Sequence, residues 1–185
     1  MPDFLISPCT QPNGNCKIAG IVCKSITSNQ CFGICDDPPP LKKPAYIQFN
    51  RDDEWIAKVN NLEGKEVCFK AIDNCVPVLR SNGDLECRCD GFLIYDDNII
   101  FIELKDRNHK GWLVKGREQI TITIDMFLQN HNRNDYKFSV AYVCNKQRPM
   151  ATTGISNEVQ KFKDDTANLL NNNGLLLKVE RVINI

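Results

Sequence analysis

Polar and apolar residues alternate or fall in short blocks along most of the chain, and each pattern predicts an element. Trp55, Ile56, Val59 and Leu62 share one face at helical spacing, predicting a short helix capped by Asp52 or Asp53 and stopped at Gly64. Residues 66–72 alternate as a strand, residues 76–79 suit a short one, and Ser81-Asn82-Gly83-Asp84 is a turn. Residues 85–95 read as one strand, Asp96-Asp97 as its turn and residues 98–105 as the returning partner. After a polar loop, residues 112–131 predict a helix with Leu113, Ile120, Ile124 and Phe127 inward. Its Ile120-to-Ile124 core, with Thr121 and Thr123, also fits strand alternation. Residues 137–143 predict a strand. Ser156 caps a helix carrying Val159, Phe162 and Leu169 and stopped at Gly174, and residues 175–184 form a last strand. The order helix, three strands, helix, strand, helix, strand implies an α/β fold with a mixed central sheet flanked by helices.

The start of the chain differs. Residues 1–37 are rich in Cys, Gly and Asn with weak periodicity, and read as a small irregular appendage to a domain over 45–185. Between them Pro38-Pro39-Pro40 and Pro44 can build neither a helix nor the middle of a sheet, so this is a stiff extended connector. Five of the ten cysteines (Cys9, Cys16, Cys23, Cys31, Cys35) lie in this first part. No secretory leader is visible, which suggests a reducing, cytoplasmic setting and free thiols. The tightest of these cysteine spacings is Cys31-x-x-x-Cys35, so buried or idle thiols are favoured over a structural zinc site.

Composition removes several classes. At 185 residues, 42% hydrophobic and 25% charged, the chain has the make-up of a globular protein, and its apolar runs are too short for a membrane span. The 23 basic and 23 acidic residues cancel, which excludes a globally basic nucleic-acid coat but leaves room for a local basic face. His109 and His131 form no two-histidine zinc motif. Neither a phosphate-binding glycine loop nor a Gly-x-Ser-x-Gly turn occurs.

The hairpin at Asp96-Asp97 carries the candidate chemistry. With a two-residue loop there, Asp90 stands opposite Glu103; with the loop shifted to Asp97-Asn98, Asp90 faces Lys105. Both registers put Asp90, Glu103 and Lys105 on one face, whereas a three-residue loop would pair Asp90 with Leu104. Residues 99–102 are apolar on both sides, the mark of a central buried strand. Two carboxylates about 5 Å apart there repel unless a cation sits between them. Carboxylate oxygens, a backbone carbonyl at Leu104 and waters suit magnesium or manganese. An isolated Glu-x-Lys is commonly a solvated ion pair; the aligned Asp90 and the apolar strand favour a site.

Asp90, twelve residues, then Glu103-Leu104-Lys105 followed by a helix resembles the motif of the PD-(D/E)XK, or restriction-endonuclease-like, nucleases. The resemblance covers about residues 50–143; Cys89 stands where that family commonly has Pro. It implies a restriction-endonuclease-like core, with Asp90 and Glu103 as metal ligands and Lys105 orienting water or phosphate. Gln119 occupies a place where some branches carry a helix-borne Gln or Tyr, and Glu54 is the candidate for an acid on the first helix.

Arg107, Lys110, Lys115 and Arg117, interleaved with His109 and Trp112, suggest a clamp on a phosphate backbone or, equally, a solvated loop. The expectation is a Mg-dependent nuclease acting on DNA, with a homodimer possible and no membrane partner. The alternative is a noncatalytic module of the same fold that binds nucleic acid or a protein.

Overall fold

The computed structural model describes residues 23–38, 40–41, 43–106, 110–147 and 155–185. Their elements are β1 (Lys24–Thr27), β2 (Cys31–Cys35), β3 (Tyr46–Gln48), β4 (Ala57–Asn60), β5 (Val67–Ala71), β6 (Gly91–Tyr95), β7 (Asn98–Lys105), α1 (Trp112–Leu128), β8 (Lys137–Asn145), α2 (Ile155–Leu170), β9 (Leu176–Lys178) and β10 (Val182–Asn184). The architecture is α/β with two mixed sheets, one ordered β1-β5-β6-β7-β8-β9 and the other β10-β4-β2-β3. Among the described residues no helix is long and apolar enough to cross a membrane.

β7 lies in the middle of the larger sheet, antiparallel to β6 and parallel to β8, with α1 as the connection between the parallel pair. Ile99 through Ile102 are buried on both faces, as their continuous apolar run predicts. α1 buries Leu113, Ile120, Ile124 and Phe127 at helical spacing, so the helical period prevails over the short alternation within it. Phe127 meets Phe92 and Phe101 edge-on at ring separations of 5.8 and 5.6 Å, which locks α1 onto the β6–β7 hairpin. Gly116 makes that approach possible, because a Cβ there would stand 2.9 Å from a Val143 methyl and 3.3 Å from Glu103 Cγ.

Four expectations are corrected. The helix over 52–64 is absent. Residues 52–54 turn, with Arg51 at φ 66°, and Ala57, Lys58 and Val59 alternate in and out as β4. Trp55, Ile56 and Val59 are buried as any apolar triplet prefers, but Leu62, the fourth member of the helical face, is 76% exposed. Backbone bonding decides the outcome: the Lys58 N–H goes to Arg181 O, and β4 is held between β2 and β10.

The single strand over 85–95 contracts to β6, and residues 76–90 make an excursion with one bridge between Leu79 and Leu85. The turn at residues 81–84 is present, with Gly83 at φ 85°. The last strand divides into β9 and β10, one in each sheet.

Finally, residues 23–35 are not an irregular appendage: β1 pairs with β5, and β2 lies inside the smaller sheet with Phe32 and Ile34 fully buried. Non-local ladders supply the order that local periodicity there lacks. Cys9, Cys16, Arg107 and His109, with the readings placed on them, lie outside the described residues.

Candidate active site

The β6–β7 hairpin has the two-residue loop, pairing Tyr95 with Asn98 and Gly91 with Ile102. One step beyond that last rung the same register sets Asp90 against Glu103. Gly91 is required beside it, since a Cβ would stand 2.5 Å from the Lys70 carbonyl oxygen. Asp90 is pinned on two sides. Its carbonyl accepts from the Ile72 N–H at 2.8 Å, and its Oδ2 accepts from the Leu104 N–H at 2.6 Å. In an extended strand the N–H and C=O of one residue point to the same edge. The Leu104 carbonyl therefore also faces the Asp90 side of β7, past the end of the ladder.

Asp90, Glu103, Leu104, Lys105, Lys115 and Gln119 line one pocket of about 310 Å³. Glu103 is 1% exposed, and one carboxylate oxygen accepts from the Lys105 ammonium while the other, Oε2, has no hydrogen-bond partner. Lys105 also donates to Gln119 Oε1 at 2.9 Å, and Gln119 Nε2 donates to the Arg88 carbonyl at 2.7 Å. α1 is tied to the same segment by Thr123, whose hydroxyl accepts from the Cys89 N–H at 2.8 Å.

Sequence reasoning missed four acids that line this pocket, Asp36, Asp37, Asp73 and Asp106. Asp36 comes from the connector after β2, and Asp73, after β5, accepts from buried Arg88 at 2.9 Å. The Asp36-Asp37 pair was visible beside the prolines, but nothing local says that β2 delivers it to the end of β7.

The carboxylates hold their protons tightly. Burial pushes Glu103 up to about 7, with Lys105 pulling the other way. Burial first, then the negative charge of Glu103 and Asp36, holds Asp90 well above the usual carboxylate range. Asp36 rises to about 6 through burial and the nearby charge of Asp73 and Asp37. A buried carboxylate oxygen without a donor, beside a second carboxylate that resists ionisation, is the environment a hard cation relieves. The donor set fits such an ion through Asp90, Glu103 and the Leu104 carbonyl. Among the described residues no group of three or more His, Cys, Asp or Glu is placed to hold a metal, so water would complete the coordination.

Three expected site residues fall elsewhere. Arg117 is 3% exposed and clasps Glu118, Glu158 and Asp165, joining α1 to α2 rather than facing nucleic acid. It sits on the inward face of α1, where the helical period places it. Glu54 lies in the turn before β4, bonded to Gln48 Nε2 at 2.9 Å and paired with Arg51, in a neighbouring cavity. Lys110 is exposed and does not line the pocket, whereas Lys115 does. Of the cysteines considered for zinc, Cys31 and Cys35 are free and stand four residues apart on β2, about 13 Å, too far to share an ion.

The chain matches no family model, no curated protein and no solved structure.

Proposed function

We propose that this protein is a metal-dependent nuclease that hydrolyses phosphodiester bonds, with DNA as its substrate. The observation that carries the reading is the convergence of Asp90, Glu103 and Lys105 in one pocket, with Glu103 Oε2 buried and without a donor. The run β5-β6-β7-α1-β8, with β7 parallel to β8, agrees with the three strands, helix and strand that the PD-(D/E)XK resemblance implies. The helix that leads that core is replaced here by β4. Asp36 approaches from β2 in place of a helix-borne acid.

Asp90, Glu103 and the Leu104 carbonyl would hold Mg²⁺ or Mn²⁺, and such an ion would supply polarisation of a phosphoryl oxygen and a lowered pKa for a bound water. Gln119 and Glu103 hold the Lys105 ammonium at the pocket, where it donates to a non-bridging phosphate oxygen or orients the attacking water. Lys115, exposed on the first turns of α1, neutralises backbone phosphate at the mouth. Incubation of plasmid and oligonucleotide with Mg²⁺ or Mn²⁺ tests the reading, with parallel DNA and RNA arms and Asp90→Asn as control. No metal-dependent cleavage of either polymer would refute it.

The noncatalytic reading draws on the lack of a three-ligand metal cluster among the described residues. Calorimetric titration with Mg²⁺ separates the two, since only the nuclease requires an ion at Glu103.

A further inference from the structure

A second cavity, of about 570 Å³, opens beside the candidate site and shares Asp36, Asp37, Pro38, Ile56 and Asp106 with it. Its other wall belongs to the smaller sheet: Tyr46 and Gln48 of β3, with Arg51 and Glu54 from the turn before β4. Most charges on that wall are already neutralised. Lys43 pairs with Asp37 at 3.1 Å, and Arg51 pairs with Glu54. Tyr46 Oη donates to Asp37 Oδ1 at 3.2 Å. The Gln48 amide nitrogen donates to Glu54, which as a carboxylate only accepts, and this leaves Gln48 Oε1 buried without a donor.

A roomy, polar wall whose opposite charges already pair with one another offers hydrogen-bonding groups to a nucleobase and its sugar more than free charge to a phosphate. Two lysines differ from the other cations that line the two cavities, Lys43, Arg51 and Lys105, which are all paired. Lys115 at the first cavity and Lys146 at the second form no ion pair among the described residues. Lys146 begins one strand away from the lysine of the site, its N–H donating to the Lys105 carbonyl at 2.8 Å.

We propose that the second cavity is a nucleotide subsite, seating the nucleoside next to the scissile phosphate while Lys146 holds the phosphate beyond it. The inference rests on the phosphodiesterase reading and narrows its substrate. A base that enters a cavity has left its stack, so single strands and frayed ends bind better than intact duplex.

Fluorescence anisotropy with a short labelled single-stranded oligonucleotide, without divalent metal so that nothing is cleaved, tests it. Lys146→Ala is expected to weaken binding about 5–10-fold and to reduce the slope of log affinity against log salt by about one, with Lys146→Arg restoring both. The wild type is expected to bind the single strand more tightly than the duplex of the same sequence. Unchanged affinity and slope in Lys146→Ala, a loss that Lys146→Arg does not restore, or equal affinity for the two forms would overturn it. Hydrolysis of bis(p-nitrophenyl) phosphate by the wild type with Mn²⁺ reports separately on the phosphodiesterase reading. If that fails, the binding experiment still decides the subsite.

Discussion

Gln119 joins the two halves of the candidate site: its Oε1 accepts from Lys105 at 2.9 Å and its amide nitrogen donates to the Arg88 carbonyl at 2.7 Å. The lysine is thus held from the helix as well as from Glu103. Gln119→Ala releases the ammonium, and a lost hydrogen bond to a charged group is worth about 1.5–3 kcal/mol. Steady-state kinetics should show kcat down roughly 10–100-fold with KM little changed. An unchanged kcat would remove Gln119 from the site.

Asp90→Asn keeps an oxygen to accept the Leu104 N–H while removing the charge. Cleavage should fall by about 10³-fold or more, the equivalent of several kcal/mol of lost metal-borne charge stabilisation. Thermal melts at pH 8 should show the variant at least as stable as the wild type, because a buried carboxylate that resists ionisation has been replaced by a neutral isostere.

Glu103 gives a pH dependence with a definite sign. Its folded pKa of about 7 lies above the ordinary value of 4.5, so the metal-free fold favours the protonated acid. The stabilising contribution is present below about pH 4.5 and is lost as pH rises through about 7, a span on the order of 3 kcal/mol. Melts of the metal-free protein between pH 5 and 8 should therefore decline, with Glu103→Gln flattening the decline and Mg²⁺ restoring stability at pH 8. A decline unaltered by either change would assign it to other groups.

Gly91→Ala sets a methyl 2.5 Å from the Lys70 carbonyl oxygen in the middle of the sheet. Neither strand can yield freely, so denaturant melts should show a loss of about 2–3 kcal/mol, within the range of overpacking. Wild-type stability would mean that β5 and β6 separate more easily than the register implies.

Arg117→Ala tests the correction to the basic segment. The three acids around Arg117 are partly exposed and can be solvated, so the loss should be about 2–4 kcal/mol, toward the lower side of that for breaking a wholly buried pair. At temperatures where the variant stays folded, oligonucleotide affinity should match the wild type. Lys115→Ala should do the reverse.

The hairpin and its chemistry were legible because they are local. Alternation fixed which residues of 91–105 share a face, and a two-residue turn left little freedom of register, so Asp90, Glu103 and Lys105 could be placed together before any packing was known. β5 and β8 were legible for the same reason, and α1 was legible as a helix although its Ile120-to-Ile124 core fits strand alternation as well. The first helix was misread because Trp55, Ile56 and Val59 satisfy a helical face and a buried strand alike. Only the ladders to β2 and β10, both far away in sequence, choose between the two.

Within the sequence, then, lay the motif, the face that its three side chains share in either two-residue register, and the elements with strong local periods. Tertiary structure alone decided that residues 24–35 belong to both sheets, that the last strand divides between them, and that Asp36 and Asp73 join the site while Arg117 and Glu54 do not. Each of those outcomes depends on backbone hydrogen bonds and burial between segments distant along the chain. Such pairings leave no periodic trace in either segment read by itself.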